Sequence, residues 1–490
     1  MSDVELDHLP SRTTLGAHRL LRNTASWGSP RELIPGFIRI LDIAAVVVTG
    51  LSLALVREGA FQVHPSALVI IAVVSLVFSN LLHAAAAYKL GSLEVRIAGF
   101  GRIFLIWTMS IGGLIVGLYF SKMGEEISRS WIAGWYLLGG ATLFLIRREA
   151  ARRVNAWEQS GRGAVRIAVF AETAAAIKVV NRLKRLDDKC LSLVGVFAPR
   201  GPADRPISSA IEHRGTIDDL IALCRSSAVD EIIVALPSDR ISHLSGSLQK
   251  MRETVVNVNI CLPEFLELDL RLGRSRVLRG LPVIGISERP LIGWKGLAKR
   301  AEDCVLAGAA LVVFAPIMAV IALLVPIESP GPILFRQLRH GFNNSSITVL
   351  KFRTMYHDPT PDPTVRQARP NDPRVTRLGR FLRRTSLDEL PQLVNVLRGD
   401  MSLVGPRPHA IPHDEKYASL IDNYLARHRV RPGITGLAQV NGYRGETDTV
   451  EKMRKRIEHD LKYIEEWSLL LDLSVLFRTV LVGFIHPRAY

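Results

Sequence analysis

At 490 residues the chain is long enough for about three domains. Its residues are 48% hydrophobic and it carries a net charge of +16, which together point to a membrane and to anionic lipid or phosphorylated partners. No zinc-finger spacing or aromatic-interleaved basic module is present, which argues against nucleic acid, and four cysteines without a Cys-x-x-Cys pair argue against a disulfide framework or zinc site and for reduced thiols in the cytoplasm.

Residues 1–38 read as a cytoplasmic tail, polar at first and without the short apolar core of a cleavable signal peptide. Four apolar stretches follow, at 40–56, 66–87, 103–120 and 131–146. Each approaches the roughly 20 residues a helix needs to cross a bilayer, so 39–150 is expected to be a four-helix transmembrane region. Arg12, Arg19, Arg22, Arg31 and Arg39 precede the first stretch, and Arg147, Arg148, Arg152 and Arg153 follow the fourth. The positive-inside rule places both flanks in the cytoplasm. Asp42 lies within snorkelling reach of the interface and is assigned no function.

Residues 160–275 read as a soluble α/β domain, with strands at 165–170, 191–197 and 231–236 and a helix at 174–186. The turn after the first strand, Phe170-Ala171-Glu172-Thr173, has no glycine and carries an acid. A dinucleotide-binding turn needs glycines for backbone to approach pyrophosphate, so this is expected to be a degenerate Rossmann-like fold with a structural or regulatory role. The next apolar run, 304–325, is long enough to span but holds Pro316 at its middle, which leaves a kinked span or a re-entrant helix open. Residues 357–374 are rich in proline and aspartate and read as a mobile loop. The last apolar run, 467–485, contains Asp472 and Arg478. A mid-bilayer charge costs on the order of 3 kcal/mol, so this segment is expected to lie in the interface.

Chemistry concentrates between 350 and 442. Arg383-Arg384-Thr385-Ser386-Leu387-Asp388-Glu389-Leu390-Pro391-Gln392 puts two carboxylates behind two arginines at a predicted helix start, with Asp388 near the N-cap and Pro391 in the first turn. In that setting the helix dipole and the arginines depress the Asp388 pKa and keep it ionised. Read blandly, Ser386-x-x-Glu389 is a capping box and no more. Lys351-Phe352-Arg353-Thr354-Met355 lies upstream. Downstream are Asn395-Val396-Leu397-Arg398-Gly399-Asp400-Met401-Ser402-Leu403-Val404-Gly405-Pro406-Arg407-Pro408 and Pro432-Gly433-Ile434-Thr435-Gly436-Leu437-Ala438-Gln439-Val440-Asn441-Gly442. Gly433, Gly436 and Gly442 are expected at tight turns, Gln439 and Asn441 as core amides, and His409 and His413 in solvent rather than on a metal.

These motifs, in this order, resemble the bacterial sugar transferase family, the polyprenyl-phosphate hexose-1-phosphate transferases, over roughly 295–490. The whole layout resembles the large members that initiate exopolysaccharide or capsule synthesis. The resemblance implies a mainly α catalytic domain over 290–490, on the cytoplasmic face of the bacterial inner membrane. It carries a re-entrant helix at 297–326 broken at Ala315-Pro316. The implied reaction takes hexose-1-phosphate from a UDP-sugar to undecaprenyl phosphate, a polyprenyl phosphate lipid, and releases UMP. Asp388 is then the nucleophile, through an aspartyl phosphosugar intermediate. Glu389 binds Mg²⁺ or shapes the site, and the separate roles of the two acids stay open, so both are candidate metal ligands. Lys351, Arg353, Arg383 and Arg407 are assigned to phosphate charge; on a strand, Lys351 and Arg353 would face one side. UDP-glucose is the favoured donor, and the α/β domain offers a surface for a homodimer. A membrane-anchored nucleotide-sugar dehydratase or epimerase would share the layout, but needs a glycine-rich cofactor turn and Tyr-x-x-x-Lys, and the sequence has neither. A non-enzymatic scaffold for polysaccharide assembly leaves Asp388–Glu389 unexplained.

Overall fold

The computed structural model describes residues 30–58, 64–88, 97–121, 127–161, 164–185, 191–198, 213–235, 245–263, 276–278, 281–357, 372–443 and 449–485. They divide between two compact units, one within 28–164 and one within 165–490.

The first unit is a bundle of α1 (Pro30–Glu58), α2 (Pro65–Ala84), α3 (Ile97–Phe120) and α4 (Arg129–Gln159). In hydrocarbon every backbone polar group needs an internal partner, and a helix supplies them all. The core is aromatic: Phe78, Trp107, Trp131 and Trp135 stack edge to face or in parallel. Small residues admit them, since a Cβ on Gly50 or Gly139 would lie 2.8 Å from the Trp135 or Trp107 ring. Each indole N–H finds a carbonyl: Trp107 that of Tyr136, Trp131 that of Gly50, Trp135 that of Val46. Asp42 does not snorkel. It is fully buried, and Arg147 donates to both its oxygens at 3.1 and 2.5 Å and to the Ala87 carbonyl at 3.1 Å. Three of the four helices, over Glu32–Arg57, Pro65–Ala84 and Gly99–Phe120, are long and apolar enough to cross a membrane. The fourth expected span falls within α4, where the apolar half runs straight into Arg147 and Arg148 and lowers the average.

The second unit opens with a seven-stranded sheet in the order β3-β2-β1-β4-β5-β7-β6, formed by β1 (Val165–Ala171), β2 (Leu191–Phe197), β3 (His213–Gly215), β4 (Glu231–Ala235), β5 (Asn257–Cys261), β6 (Arg276–Leu278) and β7 (Leu281–Ser287). The first five in that order pair in parallel, and β7 and β6 close the edge antiparallel. Side chains alternate across the sheet. Ile167, Val169 and Ala171 pack under α5 (Thr173–Arg185), and Ala168 and Phe170 under α6 (Ile217–Arg225) and α7 (Ser245–Arg252).

The remaining elements begin with α8 (Gly293–Glu328), a single helix of 36 residues with Pro316 inside it. It also meets the length and composition of a membrane span. The helix runs on through Ala315-Pro316, where a break is predicted, although the proline still removes one ladder hydrogen bond. An antiparallel hairpin follows, β8 (Leu334–His340) against β9 (Ser346–Phe352). Then come α9 (Arg377–Thr385), a 3₁₀ turn (Leu387–Glu389), α10 (Gln392–Arg398), β10 (Ser402–Val404), α11 (Ile411–Ala418), a 3₁₀ segment (Tyr424–Arg429), β11 (Gly433–Thr435), α12 (Leu437–Val440), α13 (Val450–Glu466) and α14 (Leu469–Ile485). The region is mainly helical, with β10 and β11 a short parallel pair. Most of the expected loop at 357–374 lies outside the described residues; at its described end Arg374 is paired to Asp372 at 2.7 Å.

Helix α8 packs against this region through its middle and its second half. Leu306, Ala307, Ala310 and Leu311 join one apolar core, and Met318, Ile321, Ala322 and Val325 join another with Phe352 and Leu382. The outer face leaves Val312, Val313, Val320 and Leu323 exposed. In α14, Leu470, Leu473, Phe477 and Leu481 form an exposed stripe at helical spacing. Asp472 is not presented to lipid as its mid-segment position suggested. It is buried and accepts from Lys299 at 2.6 Å, Tyr463 at 2.8 Å and Trp467 at 3.0 Å. Arg478 donates to Asn441 at 2.8 Å.

Candidate active site

The two acids lie in a turn rather than at a helix start. Helix α9 ends at Ser386, which sits in the left-handed region (φ 59°). The backbone then tightens into the 3₁₀ turn, where Glu389 N–H donates to Ser386 and Leu390 N–H to Leu387. Pro391 takes the N-cap position of α10, not its first turn, and Asp388 precedes that cap by three residues. No capping box forms: Ser386 makes no side-chain cap bond, and the Glu389 carboxylate points elsewhere.

Glu389 is clamped. Its Oε1 accepts from Lys351 Nζ at 2.7 Å and from Arg407 at 2.8 Å, and its Oε2 lies 3.5 Å from Arg407. Burial alone would raise its pKa, but Arg407 and Lys351 outweigh burial and hold the carboxyl well below the usual carboxylate range. Asp388, next in sequence, is buried yet has no hydrogen bond or ion pair among the described residues. Burial first, and the Glu389 charge second, push it up to about 6, against the pull of Lys351, Arg383 and Arg407. The expected depression belongs to Glu389, and Asp388 shifts the other way.

The basic residues divide. Lys351 and Arg407 meet at Glu389. Arg383 donates to Thr354 Oγ1 at 2.8 Å and acts on Asp388 through its charge. Arg353 does not share the face of Lys351. It lies beyond the end of β9 and donates to the carbonyls of Pro330 (2.9 Å) and Ser329, where α8 gives way.

A buried polar network holds the Pro406-Arg407-Pro408 segment. Arg427 donates to the Arg407 carbonyl at 2.6 Å and pairs with Asp460 of α13 at 2.9 Å. Arg339 donates to the Pro408 carbonyl at 2.5 Å. Sequence reading passes over both, since neither falls in a motif; the signal for Arg339 is its alternation with Phe335 and Gln337 on one strand face. Burial and its near neighbour Arg407 bring Arg339 down to about 10. His409 is buried rather than solvent-facing, against the hydroxyl of Tyr424 at 2.7 Å; burial and the Arg427 charge hold it well below its ordinary pKa, hence neutral. Gly433 and Gly436 serve close approach rather than turns: a Cβ on either would lie 2.1 or 2.3 Å from Gly405 backbone. Gly442 alone of the three has positive φ, 91°. Gln439 is a core amide near the Ile434 carbonyl, whereas Asn441 is exposed and holds Arg478.

The family model described as bacterial sugar transferase matches residues 294–486, and one described as a CoA-binding domain matches residues 83–261. The UDP-glucose:undecaprenyl-phosphate glucose-1-phosphate transferase of Escherichia coli (strain K12) is 37% identical over 426 residues, 86% of this chain and 89% of that protein. The chain belongs to the bacterial sugar transferase family. The protein of the same name from Xanthomonas campestris pv. campestris is 34% identical over 467 residues, 92% of this chain and 94% of its own. An exopolysaccharide production protein of Rhizobium leguminosarum bv. phaseoli is 49% identical over 195 residues, 39% of this chain but 98% of its own. In this sugar transferase the matched region holds every residue of the site together with α8. Asp388 keeps its carboxylate oxygens without a hydrogen bond among the described residues, whereas both oxygens of Glu389 accept from Lys351 or Arg407. A divalent cation is commonly held by one or two carboxylates plus substrate phosphate oxygens, so this donor set fits Mg²⁺ accompanying a diphosphate.

Proposed function

We propose that this sugar transferase moves glucose-1-phosphate from UDP-glucose to undecaprenyl phosphate, giving undecaprenyl diphosphoglucose and UMP, as the first step of exopolysaccharide synthesis. The observation that carries the reading is the contrast within the turn: Glu389 is committed to Lys351 and Arg407, and Asp388 beside it is an uncommitted carboxylate. The uncommitted acid is the nucleophile. Its oxygen attacks the sugar-bearing phosphorus, the bond to the UMP oxygen breaks, and a phosphosugar ester remains on Asp388. The terminal phosphate oxygen of the lipid then attacks the same phosphorus and releases Asp388. Two displacements let a water-soluble donor and a lipid acceptor react in turn.

Lys351 and Arg407 lie where negative charge builds on the phosphates, and Glu389 presets them there. Arg383 supplies a further positive charge toward Asp388. Mg²⁺, if held by Asp388 together with substrate phosphate oxygens, would supply positive charge to the diphosphate; Glu389, with both oxygens taken by Lys351 and Arg407, orients those bases instead.

The packing of α8 supports a re-entrant anchor on the cytoplasmic face of the inner membrane. A straight helix of 36 residues is about 54 Å long, nearly twice the hydrocarbon thickness. A straight crossing would put its two ends on opposite sides of about 30 Å of hydrocarbon. Instead Arg300 near its start and Glu328 at its end are hydrogen-bonded to the same catalytic region, so entry and return on one side fits better, with Pro316 weakening the ladder between them.

The test is UMP release from a panel of UDP-sugars by membranes carrying the protein, with undecaprenyl phosphate, for wild type and Asp388→Asn. Lipid-dependent release from UDP-glucose, reduced by on the order of 10³ or more in the variant, is expected for loss of a nucleophile. Unchanged release in the variant would move the nucleophile elsewhere; no release from any donor would reject the transferase reading.

A further inference from the structure

The catalytic turn is held from both sides by the membrane helix. Near the start of α8, Arg300 donates to the carbonyls of Val396 at 2.5 Å and Leu397 at 2.6 Å, in the last turn of α10. At the other end, the Glu328 carboxylate accepts from the N–H groups of Arg377 at 2.7 Å and Leu378 at 3.1 Å, the first two residues of α9. Thr376 takes the next N–H, of Gly379, at 2.9 Å. An anion thus meets a helix N-terminus and a cation a helix C-terminus, each the favourable pairing with the dipole. Between these two capped helices lies the turn that carries Asp388 and Glu389. Arg353 adds a third tie, from just past Lys351 to the carbonyls at the exit of α8.

The helices so capped are short, nine residues for α9 and seven for α10. Helices of that length do not hold themselves in water, and their ends fray without caps. The turn between them has only 3₁₀ bonds of its own, so its position is inherited from its flanks.

We propose that Glu328 and Arg300 are positioning residues for phosphosugar transfer: from opposite ends of the membrane helix they cap α9 and α10 and thereby set Asp388 in register with Lys351 and Arg407. The helix α8 is then the template on which the nucleophile is aligned, in addition to an anchor. Neither residue touches the reacting atoms. The proposal rests on the transferase reading for its kinetic arm only.

The test uses full-length protein in detergent, with Glu328→Ala, Glu328→Gln and Arg300→Gln. Donor binding by Lys351 and Arg407 is left intact while the line of attack is loosened. Glu328→Ala should therefore lower kcat for UMP release about tenfold with KM for UDP-glucose within about twofold of wild type. Glu328→Gln, which keeps an acceptor oxygen, should fall between the two, and Arg300→Gln should resemble Glu328→Ala. A second readout needs no activity: maleimide labelling of an Asp388→Cys variant, assigned by peptide mass because the chain has four other cysteines. Adding Glu328→Ala or Arg300→Gln should speed that labelling about threefold or more as the turn loosens. A folded Glu328→Ala with wild-type kcat and unchanged labelling would overturn the proposal. If that variant does not fold, the same two results in Glu328→Gln and Arg300→Gln would overturn it. A wild type inactive on every UDP-sugar would count against the transferase reading, and the labelling would still decide the positioning.

Discussion

Ionising Asp388 in the folded protein costs free energy, because the carboxylate is buried beside the Glu389 charge and no described group bonds to it. Its folded pKa lies near 6, above an ordinary value of 3.8, so the folded state holds this proton more tightly than the unfolded chain. The penalty is absent below the ordinary carboxylate range and complete above about pH 6. Asp388→Asn should therefore melt higher than wild type at about pH 7.5 in metal-free detergent, by on the order of 3 kcal/mol, with the gap closing toward about pH 4. A melting point that is unchanged or lower near neutrality would contradict the dominance of burial over the three basic side chains at Asp388. Glu389 has the opposite sign: its pKa is depressed, so its contribution is present near neutrality and is lost as pH falls below the usual carboxylate range. Glu389→Gln should lower stability near neutrality by about 2 kcal/mol, since Lys351 and Arg407 would lose their shared partner in a partly buried site. Thermal scans at two pH values check both. The sequence places these acids side by side but does not separate them. Their difference comes from Lys351 and Arg407, which lie 38 and 18 positions away in the chain.

At the scale of elements, continuous apolar runs and β-rich runs were legible and helix ends were not. The strand at 191–197 and the helix near 174–186 appear within a residue or so of their expected bounds, because a buried strand and an amphipathic helix write their periods into the sequence. Ser386-Leu387-Asp388-Glu389 fails as a helix start for a local reason. Left-handed Ser386 ends α9 and a 3₁₀ turn intervenes before α10. Asp472 reads in the sequence as a penalty against membrane insertion, whereas Lys299, Tyr463 and Trp467 from elsewhere in the chain neutralise and hydrogen-bond it. The parallel contact of β10 and β11 gives the sharpest element-level prediction. With Gly405 backbone 2.1 Å from where a Gly433 Cβ would stand, and Thr435 oxygen 2.4 Å from it, Gly433→Ala cannot fit without parting the strands. The Pro406–Arg407 segment hangs on that contact through the bond from Gly433 N–H to the Pro406 carbonyl at 3.0 Å. The substitution should destabilise the protein by about 2 kcal/mol or more and raise KM for the UDP-sugar, through displaced Arg407, more than it lowers kcat. Wild-type melting together with wild-type KM would show that the strands yield without consequence.

Across the whole molecule, the residues proposed for the reaction and the helix proposed to align them fall within 293–485, and among the described residues the α/β domain meets that region through polar contacts. The tip of the β8–β9 hairpin donates from Asn343 to the carbonyls of Cys224 and Arg225 at 3.2 and 3.0 Å, Gln249 donates to Asp422 at 2.9 Å, and Arg429 donates to the Glu288 carbonyl. None of these touches Asp388, Glu389, Lys351 or Arg407. The catalytic region has its own apolar cores, including Val396, Met401, Tyr463 and Val475, and Tyr417, Tyr424 and Met453. The Rhizobium relative is matched over 98% of its length by 195 residues of this chain, a length close to that of the sugar transferase region at 294–486. A protein of residues 290–490 should therefore fold in detergent and release UMP with kcat within about threefold of the full chain, at a melting point a few degrees lower for the lost hairpin-tip contacts. Gel filtration and far-ultraviolet circular dichroism establish folding, and the UMP assay gives kcat. A folded but inactive truncation, with activity restored in a protein of residues 160–490, would mean that the α/β domain acts on the site through the hairpin, whose tip it holds and whose base carries Lys351, and would make that domain a control element rather than an appendage.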